Sequence, residues 1–408
     1  MSKIDELIEE LCPQGVEVKT LGEIAEYRRG SFPQPYGKAD WYNGENSMPF
    51  VQVADVSANM KLVKKTKQRI SVLAQSKSVF VPENTVIVTL QGSIGRVAVT
   101  QYDSYVDRTL AIFQKFKIEI NKKYFAYQLE KKFGIEKEFA RGSTLKTITK
   151  EEFTKFQIPV PPVAIQEKIV EILDKFTQLE TELQTELEAR KAQYQFYRNQ
   201  LLAFENKEVE WKSLGEVGKF IRGSGLQKKD FTESGIGCIH YGQIYTYYGS
   251  SATKTKTFVS EAFAQKLRKA SKNDLIIAGV SENVEDVCKA VVWLGEDDIC
   301  ISGDAFIYKH QQNPKYIGYL FQTERFLEFK KKYAQGAKVT RLRSGSLPTY
   351  LIPIPPLAEQ ERIVKILDQF DDLVNNISSG LPAEIKARRQ QYEYYRAKLL
   401  TFKVMENH

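Results

Sequence analysis

The sequence contains one arrangement twice, and this duplication constrains the fold more than any other feature. The segment VEVKTLGEI at positions 16–24 returns as VEWKSLGEV at positions 209–217, which is 193 residues later. Each copy then reaches an Arg-Gly pair, at Arg29-Gly30 and at Arg222-Gly223. Because this period is far longer than a solenoid repeat, it indicates a duplicated domain rather than an array of small units.

The end of each copy also repeats and predicts a long helix. IPVPPVAIQEKIV at 158–170 matches IPIPPLAEQERIV at 352–364. Apolar residues then recur every three or four positions, as in a coiled-coil seam. The seam positions of the first copy are Ile169, Ile172, Phe176, Leu179, Leu183 and Leu187, and those of the second are Ile363, Ile366, Phe370, Leu373 and Ile377.

The two long helices should differ in continuity. A helix over about 164–204 would extend roughly 60 Å, with a stutter where Thr-Glu-Leu recurs at 181–183 and 185–187. In the second copy, Gly380 can end one helix and Pro382 can begin another, which predicts a bent or broken helix.

The regions that precede the helices are rich in short β-type runs bounded by Gly, Asn, Asp and Ser. We therefore predict an α+β fold of two β-rich modules with pseudo-twofold symmetry, alternating with two long helices that form an antiparallel coiled coil. The predicted parts are an N-terminal helix at 1–15 that packs near the C-terminal end, module 1 at 16–160, strut 1 at 161–207, module 2 at 208–355 and strut 2 at 356–408.

This arrangement suits a duplex with two half-sites, because two similar readers at a fixed spacing can contact both. The 59 Lys and Arg residues against 51 Asp and Glu residues give a net charge of +8, which is weak evidence for a polyanion on its own. Lysines crowd the first module around 61–69, and glycine-rich basic loops precede both Pro-Pro segments. Such residues could bind phosphates, or they could be ordinary solvated surface and ordinary turns.

The candidate DNA contacts are cations and hydrogen-bonding side chains of the two modules. In module 1 they are Arg29, Ser31, Lys61, Lys64, Lys65, Arg69, Ser93, Arg96, Arg141, Ser143, Thr144 and Lys146. In module 2 they are Arg222, Ser224, Lys228, Tyr241, Gln243, Lys254, Lys256, Lys338, Thr340, Arg341 and Arg343.

The repeated Leu-Gly-Glu openings at 21 and 214, the Pro-x-Pro-Pro-x-x-x-Gln-Glu segments at 159–167 and 353–361, and the Tyr-Arg ends of both helices resemble the specificity subunit of type I restriction-modification enzymes. The resemblance covers essentially the whole chain. It implies two target-recognition domains that each read half of a split, non-palindromic DNA site, and helices that act as a ruler and dock two methyltransferase subunits. Motor and nuclease subunits would join for restriction.

Two alternatives remain open. The chain could be the target-recognition subunit of a related two-subunit restriction-modification enzyme that cuts on both sides of its site. It could also be a coiled-coil scaffold with no role on DNA.

Signals of intrinsic catalysis are weak. Asn313-Pro314-Lys315-Tyr316 differs from an adenine methyltransferase motif at its third residue, and the glycines around 92–95 do not form a phosphate-binding loop. We therefore expect no enzymatic activity and no cofactor in this chain, with S-adenosylmethionine, ATP and Mg belonging to partner subunits.

Metal and membrane signals are weak as well. The four cysteines lack a Cys-x-x-Cys pair, so a metal site built from Cys238, His240, Cys288 and Cys300 is less favoured than buried, inert thiols. No run of about 18 uncharged apolar residues occurs. We expect a cytoplasmic protein with no membrane partner.

Overall fold

A computed structural model describes residues 3–57, 59–139, 150–204, 208–336, 339–343, 345–376 and 378–405. The chain divides into two compact units. The first unit comprises residues 1–182 and 386–408, and the second comprises residues 183–385. Each unit therefore contains one β-rich module together with parts of both struts.

The elements up to the end of strut 1 belong mainly to module 1. The helices are α1 (Lys3–Leu11), α2 (Leu21–Ile24), α3 (Val72–Gln75), α4 (Lys122–Phe139), α5 (Lys150–Thr154) and α6 (Val163–Ala203). The strands are β1 (Val18–Thr20), β2 (Ala25–Arg29), β3 (Met48–Val51), β4 (Gln68–Ile70), β5 (Val79–Val81), β6 (Val86–Thr89), β7 (Val97–Val99), β8 (Ser104–Val106), β9 (Leu110–Phe116) and β10 (Gln157–Pro159).

The elements that follow belong to module 2 and strut 2. The helices are α7 (Leu214–Val217), α8 (Tyr241–Thr246), α9 (Glu261–Ala264), α10 (Pro314–Leu320), α11 (Glu324–Tyr333), α12 (Leu357–Asn375) and α13 (Leu381–Leu399). The strands are β11 (Glu210–Ser213), β12 (Gly218–Arg222), β13 (Ile236–Ile239), β14 (Ser251–Ala252), β15 (Thr257–Val259), β16 (Lys269–Ala270), β17 (Leu275–Ala278), β18 (Ala290–Trp293), β19 (Ile299–Ile301), β20 (Ala305–His310), β21 (Ala334–Gln335), β22 (Arg341–Leu342) and β23 (Leu351–Ile354).

Each module contains two larger sheets in which four strands have the same order, and module 2 adds a fifth strand, β14, parallel to β18. In module 1 the antiparallel sheet has the order β2-β9-β6-β7 and the mixed sheet has the order β4-β3-β8-β5. In module 2 the corresponding orders are β12-β20-β17-β18-β14 and β15-β13-β19-β16. In both mixed sheets the central pair, β3 with β8 and β13 with β19, is parallel. The structure thus confirms the duplicated α+β fold.

The antiparallel sheet of module 1 is the middle layer of three. Along β6, Val86 and Val88 belong to the core under α4, whereas Ile87 belongs to the core shared with the mixed sheet. All four residues of β6 are buried because both faces of this strand are covered. A strand covered on both faces has no polar alternation, which explains its continuous apolar run.

Short antiparallel strand pairs close both modules where the chain enters and leaves. Lys19 on β1 pairs with Ile158 on β10, and Lys212 on β11 pairs with Ile352 on β23. The repeated Leu-Gly-Glu segments follow directly as short helices with a capping box, which satisfies their first amides. Glu23 accepts from the Thr20 amide and Glu216 accepts from the Ser213 amide, both at 2.7 Å.

In the first unit, α6 runs antiparallel to α13. Phe176 stacks on Tyr395 with ring centroids 5.5 Å apart, and Ile169 shares an apolar cluster with Leu399. Helix α1 packs partly buried side chains on the same cluster, and Val16 bridges Val404 near the C-terminus.

The second unit repeats the helix contact with the struts exchanged. Phe370 of α12 stacks on Tyr197 of α6 with ring centroids 5.5 Å apart. Strut 2 is broken between Asn375 and Leu381, as Gly380 and Pro382 predict.

Most of the apolar seam is covered, but the prediction is wrong at two positions. Leu179 and Leu373 are 44% and 37% exposed, whereas Leu173 and Leu367 are fully buried. In the first unit α6 packs against α4 as well as α13, so its buried face is wider than a two-helix seam. A straight helix of 3.6 residues per turn also drifts away from a 3.5-residue repeat. The remaining seam residues are buried or half-buried: Ile169, Ile172, Phe176, Leu183, Leu187, Ile363, Ile366 and Phe370.

Seam residue Ile377 lies outside the described residues. Among the residues that are described, none of the helices has both the length and the apolar character that crossing a bilayer requires.

Candidate nucleic-acid interface

The Arg-Gly pair of module 1 lies where the chain leaves β2 and packs closely on the backbone between β8 and β9; we call this position the Arg-Gly turn. Arg29 is exposed, whereas Gly30 is buried and donates its amide to the Leu110 carbonyl at 3.1 Å. A Cβ atom at Gly30 would lie only 2.1 Å from the carbonyl oxygen of Val106, so only glycine fits without a shift of the backbone. The turn therefore directs an arginine outward from a rigid base.

Module 2 repeats this turn with the same geometry. Gly223 donates its amide to the Ala305 carbonyl at 2.8 Å, and its added Cβ would lie 2.1 Å from the Ser302 carbonyl oxygen. Arg222 is likewise exposed at the end of β12. The repeated Arg-Gly pair is thus an equivalent structural position in both modules.

A second basic surface of module 1 surrounds the turn between Val56 and Leu62. Lys61, Lys64 and Lys65 are exposed and form no ion pair with any residue that the structure describes. Arg96 reaches this turn from another loop, because its Nη1 donates to the Val56 carbonyl at 3.3 Å. The structure therefore brings together four cations that the sequence placed in two separate segments, and unpaired surface cations of this kind suit phosphate contacts.

Other predicted contacts of module 1 are partly engaged within the protein. Ser31 donates its hydroxyl to the Lys77 carbonyl at 3.2 Å. Arg69 donates through Nε to the Ser47 hydroxyl at 3.2 Å. Ser93 is exposed in the loop that also carries Arg96.

An aromatic and cationic cluster beside the Arg29 turn was missed in the sequence. Lys38 and Lys77 each lie near the Trp41 ring, at 4.8 and 5.1 Å from its centroid, and Arg108 lies 5.2 Å from the Tyr36 ring. Such cation–π contacts keep charged groups beside aromatic surface. Aromatic residues interleaved with lysine at 36–42 are the part of this cluster that is visible in the sequence. Lys77 and Arg108 are distant in the chain, and only the fold brings them into the cluster.

Tyr36 is held in this cluster by a buried carboxylate. Its hydroxyl donates to Asp107 at 2.7 Å, and burial followed by this hydrogen bond raises the pKa of Tyr36 to about 12. The phenol therefore remains neutral at physiological pH and acts as a fixed hydrogen-bond donor.

In module 2 the equivalent turn is surrounded by mixed charge. Arg222 donates to the Gly303 carbonyl at 2.7 Å and lies 3.7 Å from Asp304, while Arg341 lies 4.0 Å from the same carboxylate. Arg268 donates its amide to the Ser224 hydroxyl at 2.8 Å, and this arginine is a neighbour that sequence reasoning missed.

The basic segments of module 2 are exposed. Lys228 and Lys254 form no ion pair within the described part of the chain. Lys256 lies 4.7 Å from the ring centroid of Tyr247, which is itself 56% exposed. At such a place an exposed aromatic ring can stack on a base, and the neighbouring cation can contact a phosphate.

Three predicted contacts of module 2 are buried or engaged within the protein to different degrees. Gln243 accepts from the His240 amide at 2.9 Å and donates to Thr257 at 3.1 Å, so both ends of its amide are used within the protein. Tyr241 is half-buried beside the His240 ring. Thr340 is only 7% exposed and its backbone pairs with Ser281, so the structure does not favour the predicted DNA contact at this residue.

Five predicted contacts in the two glycine-rich loops lie outside the described residues. They are Arg141, Ser143, Thr144, Lys146 and Lys338. Arg343, from the second of these loops, is exposed.

The cysteines of module 2 are buried thiols. Cys238 and Cys300 are register partners on the parallel strands β13 and β19. Burial raises the pKa of Cys300 to about 11 and that of Cys288 to about 12, so these thiols stay protonated. Among the described residues, no three His, Cys, Asp or Glu side chains are grouped so that they could hold a metal ion.

Two equivalent modules, each continuous with a long helix and each exposing cations beside its Arg-Gly pair, define a protein with a duplicated α+β architecture. The family model described as the type I restriction modification DNA specificity domain matches residues 13–189 and 206–387. The chain therefore belongs to the type I restriction-modification specificity family.

Relatives with assigned names extend this result. The chain is 34% identical over 288 residues to the EcoR124I/EcoR124II specificity subunit of Escherichia coli, covering 69% of this chain and 70% of that protein. It is 27% identical over 389 residues to the EcoprrI specificity subunit of Escherichia coli, covering 89% and 90% of the two chains.

Solved structures share the fold over nearly the whole chain. A chain from a study of assembly and conformational transition in the type I restriction-modification system superposes with a TM-score of 0.64 at 16% identity, covering 95% of this chain and 98% of that one. The S subunit from M. genitalium superposes with a TM-score of 0.53 at 15% identity, covering 94% and 96%.

Proposed function

We propose that this chain is the sequence-specific DNA-binding subunit of a type I restriction-modification complex. Each module reads one half of a split site, and the struts set the gap between the halves. The observation that carries this proposal is the duplication itself, because equivalent Arg-Gly turns occur in both modules while the side chains around them differ.

The difference between the modules supports a non-palindromic site. Beside the Arg29 turn, module 1 carries Arg108 and the ring of Tyr36. Beside the Arg222 turn, module 2 carries Asp304 and Arg341. A cation attracts acceptors on base edges or phosphates, whereas a carboxylate accepts from cytosine or orients an arginine, so the two surfaces favour different half-sites.

We further propose that the chain contributes recognition and not chemistry, and that it works in the cytoplasm. Methylation would be performed by two methyltransferase subunits, and cleavage by motor and nuclease subunits, with S-adenosylmethionine, ATP and Mg bound by those partners. In support, the sequence lacks a complete adenine methyltransferase motif and a phosphate-binding loop.

Equivalent aromatic residues on the two struts suit the docking of two identical partners. Phe196 of α6 and Tyr394 of α13 occupy matching positions of the repeated Tyr-Arg segments and are 60% and 65% exposed. Phe196 also borders a cleft of about 1600 Å³ in the second unit. Large exposed aromatic side chains are typical anchors of protein interfaces.

The test is genome-wide methylation mapping in cells that carry the methyltransferase subunit with and without this chain. We expect one split sequence to be methylated only when this chain is present. In gel-shift competition, the purified complex should prefer that sequence over DNA with either half shuffled. Equal binding to shuffled DNA would support a coiled-coil scaffold, and cleavage on both sides of the site by a two-subunit complex would support the related enzyme class.

A further inference from the structure

The junction between module 1 and strut 1 is tied by a glutamine with no exposed surface. Gln166 lies at the start of α6, and its Oε1 accepts from the Asn121 amide at 2.8 Å. Its Nε2 donates to the Pro161 carbonyl at 2.7 Å. One side chain thus connects the residue directly before the module helix α4, the proline segment and the strut.

The second unit contains the same connection. Gln360 is also fully buried, accepts from the Asn313 amide at 3.0 Å and donates to the Pro355 carbonyl at 2.9 Å. These glutamines are the Gln of the repeated Pro-x-Pro-Pro-x-x-x-Gln-Glu segment. The repetition of both hydrogen bonds shows that the side chain serves the junction and not one local packing environment.

Tyrosine and aspartate contacts fasten each junction at two further points. Tyr124 donates to the Pro159 carbonyl at 2.9 Å, and about two turns along the strut Asp174 lies 2.6 Å from Lys123 and accepts from Tyr127 at 3.4 Å. The second unit repeats these contacts. Tyr316 donates to the Pro353 carbonyl at 2.9 Å. Asp368 lies 2.7 Å from Lys315 and accepts from Tyr319 at 2.6 Å.

The physical effect of the connection is to resist rotation at the proline segment. Prolines have no amide hydrogen, so the prolines of this segment cannot donate backbone hydrogen bonds to hold it in place. Turning a module relative to its strut would separate the buried glutamine from both partners and leave polar groups unpaired where water is excluded. The aspartate contact, which is partly exposed, adds less.

We propose that Gln166 and Gln360 are positioning residues that fix the angle between each module and its strut, and that selectivity for one gap length depends on them. This inference rests on the proposed function. Two struts of fixed length can select one gap length only if the modules at their ends cannot rotate relative to the struts. Such a rotation would allow a module to follow a half-site that is displaced by one base pair.

The experiment uses the complete chain with its methyltransferase subunits and DNA that carries both half-sites. Binding is compared for the native gap and for gaps one base pair shorter and longer. Gln166→Met combined with Gln360→Met keeps the side-chain length and removes two hydrogen bonds at each junction. We expect the preference for the native gap to decrease at least about tenfold, because the loss of even one buried hydrogen bond has an effect of this size. Gln184→Met, an exposed position on α6, is the matched control and should leave the preference unchanged.

A merely structural role would lower thermal stability and weaken binding to all three gaps equally, and that result would overturn the inference. If the double variant does not fold, Asp174→Asn with Asp368→Asn, at partly exposed positions, carries the test. It should lower the preference by a smaller factor, and an unchanged preference would again overturn the inference. A wild-type complex that binds all gaps equally would contradict the proposed function itself.

Discussion

Strut 1 has an exposed segment in its middle where its length can be changed. Residues 181–186 of α6 are exposed apart from the half-buried Leu183, and the sequence there already repeats Thr-Glu-Leu. Insertion of one more Thr-Glu-Leu-Gln unit after Gln184 extends the 41-residue helix by four residues. At about 1.5 Å and 100° per residue, the insertion adds about 6 Å and a net rotation of about 40° to everything that follows.

These values can be compared with the geometry of DNA. One base pair advances the duplex by about 3.4 Å and turns it by about 35°, since about 10 base pairs complete one turn. The added length thus matches two base pairs, whereas the added rotation matches one. We expect the unspecified gap of the target to grow by one or two base pairs while both half-sites stay unchanged.

The assay is methylation mapping in cells that express the inserted variant with the methyltransferase subunit. Thr185→Ala is the control, because it alters the same exposed segment without changing its length and should leave the gap unchanged. An unchanged gap in the inserted variant would refute the idea that the strut sets the spacing. A change in either half-site would refute the separation of reading from spacing.

Three further predictions test other parts of the argument. Replacing Lys64 and Lys65 by glutamine should reduce the magnitude of the negative slope of log binding constant against log salt concentration by about two, because each replacement removes roughly one phosphate contact. An unchanged slope in a salt titration would show that these lysines do not contact the DNA. Gly30→Ala should reduce the free energy of unfolding by about 1–3 kcal/mol, as overpacking does, and urea denaturation measures this change. An unchanged free energy of unfolding would mean that the backbone around Gly30 can shift to accommodate the added methyl group. Phe196→Ser and Tyr394→Ser should each leave one methyltransferase subunit bound instead of two in native mass spectrometry, and full occupancy in both variants would exclude these docking points.

The sequence was sufficient for features that depend on local pattern or on internal repetition. Helix α6 was expected over about 164–204 and spans Val163–Ala203. The break in strut 2 followed from Gly380 and Pro382, which act locally on the backbone. The paired modules followed from the repeat, since two similar sequences must bury similar cores.

Features that depend on distant residues could not be predicted. The Gln of the Pro-Pro segment was visible as a motif, but its partner Asn121 lies 45 residues earlier in the chain. Thr340 resembled an accessible loop residue until the fold paired it with Ser281. Leu179 fits a heptad pattern that cannot show whether a neighbouring helix covers that position.

The repeated and the divergent residues separate into two physical classes. The repeated ones hold the backbone in place: the capping glutamates, the Arg-Gly turns and the buried glutamines. Divergent residues surround the proposed reading surface, where the loop at 31–47 that carries Trp41 is longer than its counterpart at 224–235. Since a backbone contact fixes geometry without specifying a base, whereas a surface side chain can specify one, a duplicated frame with unlike surfaces can read two different sequences at one fixed spacing.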